Sequence, residues 1–389
     1  NQWSYTIGAS LRRLTNNGYW NLALSRNTLD NSAEKYEDNQ DPQPTEQTLR
    51  VQSRETENKL RFDVTNNFDG WKLSYGAVAQ LVQFDNSFSQ RFRAPQYDAN
   101  GNLVAPAQII SSFTDANFLR YGAFVQAGKR ILNDRLALSA GLRMDANDLQ
   151  NSESNPLQQL SPRISASYAL SNKWNVSASY GIYYKLPSYT QLAYLNAIQS
   201  SVVYNPGEYI RSRHVVAGVE YLPSNATRFT LEGFYKKYSN YPVSLLDGVS
   251  LANKGTDFGA IGNEPVTQDG KGRAYGIEFF AQQKLTKRFF GILSYTFFRS
   301  EFTNSSGDYV RANWDNRHLL SLTWGYKFNR NWELGLKFRY QGGAPYTPFD
   351  LIASQQNYLT LGTGVFNYNQ ANTLTLQSFN AADVRIDKK

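Results

Sequence analysis

LALSAGLRMD at Leu136–Asp145 and WNVSASYGI at Trp174–Ile182 both alternate with a strict period of two. In the first, Leu136, Leu138, Ala140, Leu142 and Met144 oppose Ser139, Gly141, Arg143 and Asp145. In the second, Trp174, Val176, Ala178, Tyr180 and Ile182 oppose Asn175, Ser177, Ser179 and Gly181. Successive side chains of a strand point to opposite faces, so one face is greasy and the other small and polar, whereas a helix would scatter both sets around its circumference. The same pattern runs outward in both directions. Trp3, Tyr5, Ile7, Ala9 and Leu11 form one row of WSYTIGASL; Leu60, Phe62 and Val64 one row of KLRFDV; Leu73, Tyr75, Ala77, Ala79 and Leu81 one row of LSYGAVAQL; and Trp332, Leu334, Leu336, Phe338 and Tyr340 one row of WELGLKFRY.

Between these strands, two kinds of connection alternate. Short ones rich in turn residues stand near Asn16–Asn17–Gly18, Phe68–Asp69–Gly70, Asn133–Asp134, Ser171–Asn172–Lys173, Pro223–Ser224–Asn225, Thr286–Lys287 and Asn329–Arg330–Asn331. Long ones run roughly from Thr28 to Glu46, Asp85 to Asp115, Asp148 to Leu160, Lys185 to Ile210, Ser239 to Asp269, Thr303 to Asp315 and Gly342 to Gln377. A sandwich or propeller has no reason to gather every long loop at one end; an outer-membrane barrel, with short periplasmic turns and long extracellular loops, does. The fold class expected is therefore all-β, a transmembrane antiparallel up-and-down barrel. About fifteen strands are counted. That number is odd, whereas single-chain bacterial barrels close with an even one, and FNAADVRIDKK ends inside a strand. The expectation is one domain over 1–389, a partial barrel without its first and last strands.

Composition agrees. Aromatic residues make up 14% of the 389, with 26 Tyr and 23 Phe, while mean hydropathy is only −0.53. A wall with lipid on one face, water on the other and aromatic girdles at both interfaces has this composition; a soluble core does not. The most apolar segment, FFGILSYTFF at Phe289–Phe298, is too short for a spanning helix. No cysteine occurs, which excludes disulfides and thiol chemistry. The net charge of +8 is dispersed over strands and turns rather than clustered, so no nucleic-acid partner is expected.

Several segments together resemble the barrel of TonB-dependent outer-membrane receptors, particularly those of Bacteroidetes. They are YGAFVQAGKRILNDRLALSAGLRMDAN, LSPRISASYALSNKWNVSASYGIYYKLPS, GRAYGIEFFAQQKLTKRFFGILSYTF, WDNRHLLSLTWGYKFNRNWELGLKFRYQGGAPYTP and SFNAADVRIDKK, in order from about Arg120. The resemblance implies a barrel of about 22 strands filled by an N-terminal plug that carries the TonB box. No segment here resembles that plug. It also implies a Gram-negative outer membrane, its lipid, and energy from the TonB–ExbB–ExbD complex reached through the plug. The cargo would be a scarce extracellular ligand: a siderophore, a vitamin such as cobalamin, a glycan or a peptide. A surface lipoprotein lid is a further possible partner of such receptors. Two other classes compete: a passive porin-like channel, which would close within a single chain of fewer strands, and a soluble all-β binding module or adhesin, which would need a second layer to cover the outward rows.

Catalytic, cofactor and metal sites are not expected. GKGRAYG at Gly270–Gly276 has the wrong spacing for a phosphate loop and precedes a strand. His214 and His318 stand about a hundred residues apart without a spaced partner. Asp145, Glu220 and Glu278 fit a polar lumen, and no nucleophile, base and orienter form a set. The candidate ligand contacts lie in GIYYKLPSYTQLAYLNAIQSSVVYNPGEYIRSR, where Tyr184, Tyr189, Tyr194, Tyr209, Arg211 and Arg213 gather with Tyr183 and Tyr204. Tyrosine offers flat contact area with a polar tip, and arginine suits anionic groups. Each Tyr also fits an interface girdle.

Overall fold

The computed structural model describes residues 1–38, 43, 47–93, 95–149, 155–198, 201–254, 262–361 and 364–388. Among the described residues, fifteen strands form a single antiparallel meander in which every strand lies beside its sequence neighbour, and a short sixteenth, Tyr309–Arg311, pairs with the twelfth. The fifteen are β1 Gln2–Thr15, β2 Gly18–Tyr36, β3 Gln47–Phe68, β4 Trp71–Arg93, β5 Gln108–Ile131, β6 Leu136–Asn147, β7 Ser161–Ala169 and β8 Trp174–Lys185. The second half continues with β9 Ile210–Ser224, β10 Thr227–Ser244, β11 Val266–Gln283, β12 Phe289–Thr303, β13 His318–Lys327, β14 Trp332–Gln341 and β15 Phe379–Lys388. Among the described residues, β1 and β15 each have one neighbour, so both ends of the sheet are open edges.

Each short connection expected from the sequence closes a hairpin at the same end of the sheet. Local chemistry explains the tightness. Asp69 (φ 46°) with Gly70, Asn133 (φ 55°) with Asp134, and Arg330 with Asn331 (both φ 62°) take the left-handed conformation that turns require. At Gly18 a Cβ would lie 1.8 Å from the Thr65 carbonyl oxygen of β3, so only glycine lets β2 start there.

Register sets the faces. Phe62 of β3 pairs with Leu22 of β2 and Ala77 of β4, and Leu60 with Leu24 and Ala79, which joins the greasy rows into one continuous outer surface. Leu81, Val215 and Ile277 on that surface are 58%, 49% and 52% exposed. A contiguous apolar band of this extent belongs against lipid, not water. At the short-turn end the band is rimmed by Trp20, Trp71, Trp174, Phe289, Trp324 and Trp332, each on the first or last residues of its strand. Cations sit on two of these rings: Lys129 lies 5.0 Å from the Trp71 centroid and Lys388 5.4 Å from Trp332. Amphipathic rings with a neighbouring cation suit the headgroup level.

The connections at Asp148–Leu160, Lys185–Ile210 and Gly342–Gln377 lie where the sequence suggested, but those after Thr28 and Asp85 are shorter. β2 runs to Tyr36 rather than ending near Thr28, β3 begins at Gln47, β4 runs to Arg93 beyond Asp85, and β5 begins at Gln108. Crossing hydrocarbon takes roughly 9–11 strand residues, whereas β4 has 23. The excess stands above the lipid, where both faces are wet and alternation fades although pairing continues. There the outer row carries Thr28 against Thr56 (Oγ1 to Oγ1, 3.2 Å) and Arg54 on Asp30 (2.7 Å). In Gly342–Gln377 a helix, α2 (Leu351–Leu361), stands between two short strand pairs, Pro345–Tyr346 with Leu374–Thr375 and Phe349–Asp350 with Val365–Phe366. No helix among the described residues is long and apolar enough to cross a membrane.

Candidate functional site

The tyrosine-rich connection between β8 and β9 does not project outward. A short helix, α1 (Tyr189–Leu192), starts at Ser188, whose hydroxyl accepts from the Gln191 amide at 3.4 Å, and ends where Ala193 N–H returns to the Tyr189 carbonyl at 2.9 Å. The helix packs on residues of the inward rows: Leu186, Leu192 and Tyr209 bury against Val82 of β4 and Phe118 of β5, with Tyr184 and Tyr189 at the margin. These wall residues lie opposite the lipid-facing Leu81 and Tyr121, so the loop folds over the inner side of the wall.

Tyr189 is the pivot. Its ring meets Phe118 edge-on at 5.5 Å and Phe84 at 5.9 Å. Its hydroxyl donates to the Glu57 carboxylate at 2.6 Å and accepts from the Arg120 guanidinium at 2.9 Å. Burial, and then the Glu57 carboxylate, push the phenol pKa well above its ordinary value. Tyr209 is 3% exposed; its hydroxyl accepts from Asn147 Nδ2 at 3.0 Å, and burial raises its phenol too. Tyr194, just past α1, is half-buried, and its phenol is raised by burial and by the nearby Glu264 carboxylate.

The two arginines are placed differently. Arg211 Nε donates to Ser239 Oγ on β10 at 3.1 Å. Arg213 pairs with Ile182 on the outward row and is exposed. The structure thus brings Tyr189 and Tyr209 together on the inner side, with Tyr184 packed at the edge of that cluster, while Arg211 and Arg213 pair directly with Tyr184 and Ile182 and share their row. Tyr204 ends the short strand pair Leu195–Ile198 with Ser201–Tyr204, and its side chain lies outside the described residues.

Further residues hold the loop in place. Thr114 Oγ1 donates to the Ala193 carbonyl at 2.9 Å. Asn205 Nδ2 donates to the carbonyls of Gln191 (3.0 Å) and Glu264 (2.8 Å), while its Oδ1 accepts from Val266 N–H at 3.0 Å. Gln268 and the Glu208 backbone exchange two bonds of 2.8 Å. Lys254 bridges Asp247 and Glu264, both at 2.6 Å, and braces the neighbouring loop. Glu57, Arg120, Asn147 and Asn205 are partners the sequence did not single out. The first three stand on inward rows above the lipid level, a position that could have flagged them.

Below α1 the inner wall carries a cavity of about 380 Å³ whose lining includes Lys59, Arg61, Arg143, Arg163 and Tyr183. Arg61 and Arg143 are held by Asp63 (2.9 Å) and Asp145 (2.5 Å), and Arg163 lies 4.4 Å from the Tyr183 ring centroid. The His214 ring lies tilted against Tyr183, with centroids 4.5 Å apart, and its Nε2 stands 2.7 Å from Ser212 Oγ. Among the described residues, no three His, Cys, Asp or Glu side chains gather as a metal site would require. The arrangement can bind and position a ligand by stacking and charge-assisted hydrogen bonds.

Residues 1–383 match the family described as TonB dependent receptor-like, beta-barrel. No match was found among curated protein sequences. Among solved structures, the ferripyoverdine receptor of the Pseudomonas aeruginosa outer membrane is 16% identical with a TM-score of 0.65, over 98% of this chain and 50% of that one. The ferric yersiniabactin uptake receptor FyuA from Yersinia pestis is 15% identical with a TM-score of 0.65, over 99% and 53%. The copper transporter OprC is 15% identical with a TM-score of 0.63, over 99% and 56%. At these identities the likeness concerns the fold. The chain spans about half the length of the structures it resembles.

Proposed function

The chain belongs to the TonB-dependent receptor-like β-barrel family, and from that premise we propose that it forms wall and loops of an importer that carries a scarce ligand across the outer membrane. Proteins of this family are receptors and transporters of the outer membrane, not enzymes. On this reading the step is binding and passage, without covalent chemistry. Energy enters through TonB–ExbB–ExbD acting on a plug domain outside residues 1–389.

The observation that carries the reading, beyond family membership, is the inward fold of the β8–β9 loop. A loop anchored by Tyr189 to Glu57 and Arg120 narrows the mouth and lines it with phenol rings. A soluble module would not expose the outer apolar band, and family membership, rather than the inward loop, sets the importer above a passive pore. Ligand contact is assigned to the accessible faces of Tyr184, Tyr189 and Tyr194, with Tyr209 supporting them from beneath and Arg211 and Arg213 at the rim.

The test is uptake by cells with and without the full-length gene, offered ferric siderophores, cobalamin, oligosaccharides and peptides in turn, with and without a protonophore. One class accumulating only when both gene and proton gradient are present is the expected outcome. Gene-dependent accumulation that ignores the protonophore would replace the importer by a channel.

A further inference from the structure

Charge on the outer face of the wall is not evenly matched. On the outward row of the first strands, Asp30, Arg54, Asp85 and Asp115 are successive cross-strand partners from β2 to β5, so acid exceeds base. From β8 to β12 the balance reverses: Ile182, Arg213, Lys237, Arg273 and Glu301 are successive partners in register. Glu301 takes Arg273 at 2.6 Å. Arg213 and Lys237, directly opposite each other and exposed, make no ion pair among the described residues. Arg211, on the same row, is held at 3.1 Å by the neutral Ser239 hydroxyl. Like charges directly opposite one another destabilise a sheet, so this row calls for an anion from outside the chain.

Register also fixes the height of the row. Nine residues, counting both ends, run from Arg213 to Tyr221, from Lys237 to Phe229 and from Arg273 to Ala281, and the three far residues are themselves partners near the short-turn end. Crossing hydrocarbon takes roughly 9–11 strand residues. The cations therefore stand where hydrocarbon ends on the long-loop side. Tyr235 and Tyr275, the next outward residues toward the membrane centre, pair in register and stack at 6.3 Å, as an interface girdle does.

Below the cations the lipid-facing surface is concave. A groove of about 790 Å³ runs across the wall, lined by Ala140, Ala166, Ala178, Tyr180, Val215 and Ala217, and its far end reaches Trp71 and Lys129. Val215 is the next outward residue after Arg213 on β9, so the groove begins where the cations end. An apolar groove open to hydrocarbon accepts a hydrocarbon chain.

We propose that Arg213 and Lys237, with Arg211 beside them, hold the headgroup phosphates of a phosphorylated outer-leaflet lipid, one acyl chain of which lies in the groove. Guanidinium groups make paired charge-assisted hydrogen bonds to phosphate, lysine adds a point charge, and basic groups at headgroup level attract anionic lipid. Arg211 and Arg213 thereby gain a partner outside the barrel. The inference rests on the outer-membrane placement and is independent of cargo and energy source.

The experiment is native mass spectrometry of the full-length protein in detergent, offered bisphosphorylated lipid A, phosphatidylethanolamine and inorganic phosphate. Retention of lipid A at concentrations where phosphatidylethanolamine is lost, undiminished by excess inorganic phosphate, is expected. Lys237→Gln and Arg213→Gln should each weaken it about tenfold, the size of one charge-assisted hydrogen bond. Both side chains are exposed, so the wall keeps its packing, and Lys237 lies outside the tyrosine cluster, so its variant reads the lipid site alone. Ala217→Phe, which fills the groove with an apolar ring, should also weaken retention. Equal retention of both lipids, indifference to the cation variants or to Ala217→Phe, or displacement by inorganic phosphate, which would mark a free anion as the occupant, would overturn the assignment. Energised uptake can persist where lipid A is not retained, and retention can persist in a barrel that proves to be a passive channel, so the two readings fail separately.

Discussion

Tyr189 shows how much one side chain can hold when it satisfies two charged partners at once. Removing only its hydroxyl, in Tyr189→Phe, leaves Glu57 and Arg120 3.8 Å apart without their bridge, at a cost of about 1–2 kcal/mol. Amide exchange across 186–198 and 201–209 should then accelerate by roughly tenfold, with strand interiors unchanged. Tyr189→Ala also removes the ring from between Phe84 and Phe118 and should cost more, about 3–5 kcal/mol. The raised phenols of Tyr189 and Tyr209 carry a sign. The folded state holds these protons more tightly than the unfolded state, so their contribution is complete below the unfolded value of about 10 and is lost as pH rises above it. Exchange protection of the loop, corrected for intrinsic rate, should be level through neutral pH and fall beyond about 10, in step with late tyrosinate absorbance.

A strand here is two surfaces that must each match a different solvent, and substitutions should sort by face rather than by residue type. Phe62 lies in the lipid-facing row of β3 and is 44% exposed. Phe62→Arg should destabilise the protein by about 2–4 kcal/mol in refolding from urea into bilayers. Ser177 of β8 occupies the opposite row, paired with Gly218 and Ser167, and Glu232 reaches the Gly218 position. Ser177→Arg should stay within about 1 kcal/mol. Equal costs at both sites would mean that the faces are assigned wrongly. Where β11 meets β12, Gly276 keeps the strands close, since a Cβ there would lie 2.2 Å from the Phe297 carbonyl oxygen.

At the scale of the whole molecule, the open edges β1 and β15 matter most. Unpaired N–H and C=O groups are costly in hydrocarbon and sticky in water. Residues 1–389 purified in detergent should therefore associate through these edges and run as oligomers. A monomeric, heat-modifiable 1–389 would show that β1 and β15 find each other. Much of the architecture was legible in the sequence because its causes are local. Period-two rows such as Leu136 to Met144 fix the strands and their lipid face, and pairs such as Asp69–Gly70 and Asn133–Asp134 fix the tight turns and thus the end that carries the long loops. Strand ends were misjudged at Thr28 and Asp85 because alternation reports the solvent contrast across the sheet, which stops at the lipid boundary while hydrogen bonding continues. The tyrosines of the β8–β9 loop were visible as a cluster, but not their fates. Glu57 and Arg120 lie 132 and 69 residues from Tyr189, and nothing in their neighbourhoods marks them as its partners. The sequence by itself determined which residues form strands and which side of each meets lipid, since both follow from neighbours two residues apart. Only the tertiary structure decided that the loop folds inward and which inward-facing groups receive it, because that depends on register accumulated across five strands.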